Sequence, residues 1–268
     1  VTHCEDQGTV KKNEQLFYEK YGNEVSAEHH HLIRDVESCY LSSSLAVDLA
    51  KKYDSDLHVF HLTTEKEMDL FSSGTIDGKK ITSEVCVHHM FFNETYYKEL
   101  GNQIKCNPSI KEESDRLALI KSLLDDKIDI IATDHAPHTW DEKSKPYPEA
   151  PAGLPLVQHG LQILMDFFHN DILTLETIVE KTSHNVAKRF QIKDRGYIRE
   201  GYYADLAILD LNNPYQVSKE NILYKCGWST FEGHKFNSSI FMTVVNGNIA
   251  FKDGVVSESL PLGMQIEF

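Results

Sequence analysis

Residues 128–133 read Ile-Asp-Ile-Ile-Ala-Thr, a short and nearly unbroken apolar run. It is far too short to span a membrane and lacks the strict alternation of a half-buried antiparallel strand. A strand covered on both faces, in a parallel sheet flanked by helices, fits it. Parallel neighbours need crossovers of a dozen or more residues, usually helical, and the sequence supplies them. Residues 57–62 (LHVFHL) and 81–88 (ITSEVCVH) form two further β-like runs. Before the first, residues 36–53 carry Val36, Tyr40, Leu41, Leu45 and Leu49 at helical spacing. Between the second and the 128–133 run, Ser109 to Glu112 reads as a capping box opening a helix that buries Leu117, Ile120 and Leu124. Further helices are expected near 154–168 and 175–190.

The last quarter changes period. Residues 196–210 and 240–256 read as antiparallel strands, with Asn246-Gly247 and Asp253-Gly254 as hairpin turns. The reading is α/β: part of a (β/α)8 barrel of TIM type, about strands five to eight, over residues 1–190. A small antiparallel β appendage follows over 191–268. The chain opens without methionine on Val-Thr-His-Cys-Glu-Asp, which reads as a strand end, so the expectation is a fragment.

A formal net charge of −14 argues against a nucleic-acid or anionic-membrane partner. The five cysteines are odd in number and never in CxxC spacing, which argues for reduced thiols and against a disulfide framework or a cysteine zinc site.

Polar residues gather at strand ends: His3, His61, His88, His89 and Asp134. In a closed parallel barrel the carboxyl ends of all strands converge on one face, and His and Asp are ligand types for zinc. Each also has a plainer reading. His3 reads as a loop histidine and His61 as a satisfied core histidine. His88 and His89, adjacent on a strand, face opposite sides. His58 reads as structural, and the triplet at 29–31 as a solvated helix entry. Asp134 is hardest to dismiss, since a carboxylate ending an apolar strand needs a partner.

The order of the motifs resembles dihydroorotase of the amidohydrolase superfamily. His-Cys-Glu-Asp at 3–6, His-Val-Phe-His-Leu-Thr at 58–63, Glu-Val-Cys-Val-His-His at 84–89 and Lys-Cys-Asn-Pro at 105–108 carry it. Ala-Thr-Asp-His-Ala-Pro-His at 132–138, Ala-Pro-Ala-Gly-Leu-Pro at 150–155 and the stretch 196–206 continue it. The resemblance implies zinc-dependent, reversible hydrolysis of dihydroorotate to N-carbamoyl-L-aspartate, with one or two zinc ions per complete site. It makes His3, His61 and Asp134 metal ligands, and Asp134 also the general acid/base. Asn107, His138, Ala152 and Gly153 would bind substrate, and the 88–89 pair is left out of the metal set.

The family's strand-one His-x-His, its nearby Arg and its bridging Lys or Asp have no counterpart here, so an amino-terminal half of the barrel is expected as a missing partner. A small-molecule substrate, a homodimer and a cytoplasmic location complete the picture. The alternatives are another cyclic amidase (allantoinase or dihydropyrimidinase) and a catalytically inactive, dihydroorotase-like scaffold.

Overall fold

The computed structural model describes residues 1–258 and 262–268. The fold is α/β, and the chain divides into two compact units. Val1–Gln158 with Leu223–Thr230 forms the first, and His159–Ile222 with Phe231–Phe268 the second.

The first unit begins with α1 (Gln7–Tyr21), α2 (His30–Ile33) and α3 (Val36–Lys52). Then come β1 (Leu57–Val59), β2 (Ile81–Cys86), α4 (Val87–Phe91), α5 (Tyr97–Leu100), α6 (Glu113–Leu124), β3 (Ile130–Ala132) and α7 (Trp140–Lys143). The strands pair in parallel in the order β1-β2-β3, with Val59 opposite Ser83 and Val85 opposite Ile131. Thr2 adds a parallel bridge to Val59 on the free edge of β1, donating its N–H to His58 and accepting from Phe60. Four consecutive chain segments therefore lie side by side with their carboxyl ends on one edge. Val59, Val85, Ile130 and Ile131 are buried, as a sheet covered on both faces requires.

The helices depart from the sequence reading in an instructive way. Helix α3 is capped by Asp35, whose carboxylate accepts from the Ser38 N–H. Its buried face consists of Ser38, Cys39, Ser43, Val47 and Ala50, while Leu41, Leu45 and Leu49 are exposed. Small side chains let the helix approach its neighbours closely, and the leucine stripe is left outside. In α6, Leu119 and Leu123 are buried and Leu117 and Leu124 exposed, contrary to expectation. The expected capping box does not form: α6 starts at Glu113, and Ser109 Oγ instead donates to the Arg34 carbonyl and accepts from Lys111 Nζ. Strand β2 stops at Cys86, so His88 and His89 sit on a helix rather than on alternate faces of a strand.

The second unit holds α8 (Gly160–His169), α9 (Leu175–Val179) and α10 (Asn185–Arg189), with a π-helical turn at Glu180–His184 between the last two. Its strands are β4 (Leu206–Asp210), β5 (Tyr215–Gln216), β6 (Lys235–Phe236), β7 (Ser239–Val245), β8 (Asn248–Lys252) and β9 (Val255–Val256). They form an antiparallel sheet in the order β4-β7-β8-β9 and a two-stranded antiparallel sheet of β5 and β6. Asn246 and Gly247 both have positive φ between β7 and β8, as the Asn-Gly signal predicts. Asp166 of α8 accepts from Asn237 and from His234. That tie joins the helical segment after residue 158 to the β-rich part within the second compact unit.

Candidate active site and metal centre

The Thr2–Val59 bridge sets His3 beside the end of β1, and there His3 Nδ1 lies 3.0 Å from His61 Nε2. The two rings meet edge-on at 4.7 Å. His3 owes its orientation to Glu5, whose buried carboxylate accepts from His3 Nε2 at 2.9 Å and pairs with Arg34 at 2.5 Å. Burial alone would raise the Glu5 pKa. The hydrogen bond from His3 and the Arg34 charge outweigh it and hold the carboxyl below its ordinary value. With Nε2 donating to an ionised Glu5, the Nδ1 lone pair of His3 points at His61, as a metal-ligating histidine with a carboxylate behind it does. His61 is pushed down to about 4 by burial and by the His3 charge, so it is neutral near pH 7.

Backbone conformation brings His61 and Asp134 to the edge. Both have left-handed φ, +36° and +46°, just past the ends of β1 and β3. Non-glycine residues in this region carry backbone strain of roughly 1–3 kcal/mol and cluster at functional sites. Asp134 is open to water, yet burial of its surroundings raises its pKa while the charge of His3 draws it back down. Around a tetrahedral zinc, ligand nitrogens stand roughly 3.3 Å apart. The 3.0 Å gap between the two ring nitrogens needs to open only slightly to accept such an ion, whereas the Asp134 carboxylate does not come within 4.8 Å of both nitrogens, so the structure brings together two of the three expected ligands.

The other predicted residues gather in two interlocked loops. Ala136 N donates to Leu154 O, and His135 Nδ1 accepts from the N–H groups of Leu156 and Val157. Gly153 sits at φ +141°, where an added Cβ would lie 2.5 Å from Ala136 O and 3.2 Å from His138 Cδ2. His138 is therefore packed directly on the Gly153 backbone, and its carbonyl is pinned by Trp228 Nε1 at 2.7 Å. Ala152 is half-buried in the same loop. Asn107 is half-buried with an enclosed, unpartnered Oδ1. Gly153→Ala is expected to destabilise this unit by about 2–4 kcal/mol, from overpacking plus backbone strain. A drop in the midpoint of the tryptophan-fluorescence transition checks it.

Sequence reasoning missed the two lysines that lock these loops. Lys143 Nζ donates to the carbonyls of Lys105, Pro151 and Gly153, and Lys105 Nζ to those of Tyr147 and Ala150. Both are pushed down to about 8, chiefly by burial. Glu5 stood inside the quoted His-Cys-Glu-Asp motif but received no role, and Arg34 gave no signal at all. The reading of the triplet at 29–31 as solvated fails for His30. That ring is buried between the Tyr147 hydroxyl at 2.7 Å and the Cys106 carbonyl at 2.8 Å. His58 is structural as expected, bonded to Thr82 and Glu84.

Comparison with known proteins shows the family. The model of the amidohydrolase family matches residues 29–250. Among curated proteins, the dihydroorotase of Methanosphaera stadtmanae is 32% identical over 95% of this chain and 58% of its own length. That of Pyrococcus abyssi is 34% identical over 79% of this chain and 50% of its own. The chain thus spans little more than half the length of these relatives. Among solved structures, the L-hydantoinase (dihydropyrimidinase) of Arthrobacter aurescens superposes with a TM-score of 0.86 at 21% identity, over 95% of this chain and 57% of that one. The D-hydantoinase of Thermus sp. superposes with a TM-score of 0.84 at 20% identity, with the same coverage. With its family model matching most of the sequence, this chain belongs to the amidohydrolase family.

Proposed function

We propose that this chain carries the carboxyl-terminal half of a zinc-dependent dihydroorotase, which interconverts dihydroorotate and N-carbamoyl-L-aspartate. Residues 1–190 would belong to its (β/α)8 barrel and 191–268 to its β appendage. The observation that carries the reading is the convergence of His3 Nδ1 and His61 Nε2 at the carboxyl edge of a parallel sheet.

His3, His61 and Asp134 would hold the metal. When bound, zinc supplies a water acidic enough to ionise near neutral pH and polarises the carbonyl under attack. Glu5 keeps His3 in the Nε2–H tautomer. The Asp134 carboxylate takes a proton from the attacking water and returns it to the ring nitrogen as the amide bond breaks. His138, backed by Gly153, and the Asn107 side chain would bind the ring and its carboxylate. The loops locked by Lys105 and Lys143 hold these groups in register.

The test is turnover of dihydroorotate, hydantoin and dihydrouracil in the presence of zinc. It is run on this chain alone and on this chain mixed with the amino-terminal half of the Methanosphaera stadtmanae enzyme. Preferred turnover of dihydroorotate supports the proposal. Preference for the uncharged rings would move the assignment to another cyclic amidase, and no turnover of any would favour the inactive scaffold. In the active form, His138→Ala is expected to raise KM for dihydroorotate about tenfold or more, the scale of one lost charged hydrogen bond. An unchanged KM would remove His138 from the substrate site.

A further inference from the structure

We propose that Cys86, His88 and His89 form a second metal site, selective for a thiophilic cation such as Zn²⁺ and built from residues other than His3, His61 and Asp134. Each of the three offers one ligand atom, and these atoms all lie within 4.8 Å of one another in a fully enclosed setting. A zinc ion with Zn–S of about 2.3 Å and Zn–N of about 2.0–2.1 Å spaces its donors roughly 3.3–3.7 Å apart, so the cluster needs only a modest contraction.

The unpartnered nitrogens give independent support. His88 is completely buried, and neither Nδ1 nor Nε2 has a hydrogen-bond partner. A neutral imidazole must carry one N–H and one lone pair, and burying both unmet is costly. His89 shows a ligand's arrangement: Nε2 lies 3.1 Å from the Pro108 carbonyl, which accepts its proton, and Nδ1 is left enclosed and unpartnered. A carbonyl behind one ring nitrogen fixes the tautomer that frees the other for a metal. The two rings lie 4.0 Å apart because α4 begins directly after Cys86, which folds all three side chains together. Burial keeps His88 neutral, with its pKa pushed down to about 3.

One thiolate and two imidazoles favour zinc or a softer d¹⁰ ion over magnesium or calcium. On binding, a sulfur–metal bond forms, the Cys86 S–H proton leaves to solvent, and both histidines bind as neutral rings. Cys106 is not part of the set: its Sγ contacts His89 Nε2 at 3.7 Å and the Pro108 carbonyl, on the side away from Nδ1. Scattered cysteines gave no sign of this site, because its other donors are histidines brought in by a helix turn.

Sulfur makes the test specific. The chelator-stripped chain is titrated with Co²⁺ alone and followed in the near ultraviolet, where a thiolate ligand gives a charge-transfer band and His/Asp ligands give none. The expected result is one equivalent of sulfur-bound Co²⁺ per chain, bleached by Zn²⁺. The band should be lost in Cys86→Ser and in His88→Gln, and kept in His61→Gln and Cys106→Ser. Absence of the band, its survival in both Cys86→Ser and His88→Gln, or its loss in Cys106→Ser overturns the proposal. Far-ultraviolet circular dichroism identifies a variant that has not folded, in which case the other of the pair decides. Turnover is not the readout, so failure of the dihydroorotase reading leaves this result standing.

Discussion

If the chain works as proposed, Asp134→Ala is expected to lower kcat for dihydroorotate by about a thousandfold or more, the scale of a removed proton-transfer group. The same substitution weakens zinc retention, because a ligand goes with it. Folding is a separate matter. The Asp134 pKa is raised by burial, so the folded state gains little from its charge. Its backbone is left-handed at φ +46°, however, and alanine resists that region by roughly 1–2 kcal/mol. Asp134→Asn is the cleaner variant, since asparagine tolerates this conformation and differs by a single atom. Both variants should lose activity alike, while Asn keeps the wild-type melting temperature. If either retains a tenth of the wild-type kcat, Asp134 is not the proton carrier. If Asn is as unstable as Ala, the carboxylate has a structural role that the geometry does not reveal.

The parallel sheet was legible because its signal is local. An apolar run such as Ile-Asp-Ile-Ile-Ala can satisfy its own side chains only under cover on both faces. The Asn246-Gly247 turn was legible for a similar reason, as few dipeptides accept two successive positive φ angles. The helix faces were not. In α3 two periodic stripes compete: Leu41, Leu45 and Leu49 on one side, and Ser38, Cys39, Ser43 and Val47 on another. Hydrophobicity selects the first, whereas packing distance selects the second, and nothing within seventeen residues says how close the neighbouring element comes.

The candidate site divides in the same way. His3 and His61 meet because strand ends of a parallel sheet share one edge, while their grouping with Asp134 as ligands came from the resemblance. Their support could be read from neither. Glu5 needs His3 and Arg34 only because it is fully enclosed, and Lys105 and Lys143, buried as they are, bond to backbone carbonyls. Such partnerships are set by which groups lose water on folding, and that is decided in three dimensions.

Acid is expected to destabilise the metal-free first unit by several kcal/mol between pH 7 and pH 5. Burial keeps His30, His61, His88 and His89 neutral in the folded state, His61 at about 4 and His88 at about 3, against an ordinary value of 6.5. The sign follows from proton counting. Below 6.5 the unfolded chain binds protons that the folded chain refuses, so stability is fully present above that pH and is lost as pH falls toward the folded values. Each histidine forfeits roughly 1.4 kcal/mol per pH unit, or about 2 kcal/mol by pH 5. His61 and His88 together forfeit about 4 kcal/mol, and His30 and His89 act in the same direction, against a domain stability of ~5–15 kcal/mol. Glu67, Asp115 and Asp134 soften the loss, because their raised pKa values let the folded state take protons first. Glu5 and Glu113, held low, add a further loss only below about pH 4.5. Trp140 and Trp228 both lie in the first unit, so fluorescence in urea reports that unit alone. The unfolding free energy should fall by several kcal/mol between pH 7 and pH 5, with uptake of three or more protons, and His88→Gln should remove one of them. A fall of less than about 1 kcal/mol, below what one buried histidine supplies, would mean that these rings are already solvated in the folded chain.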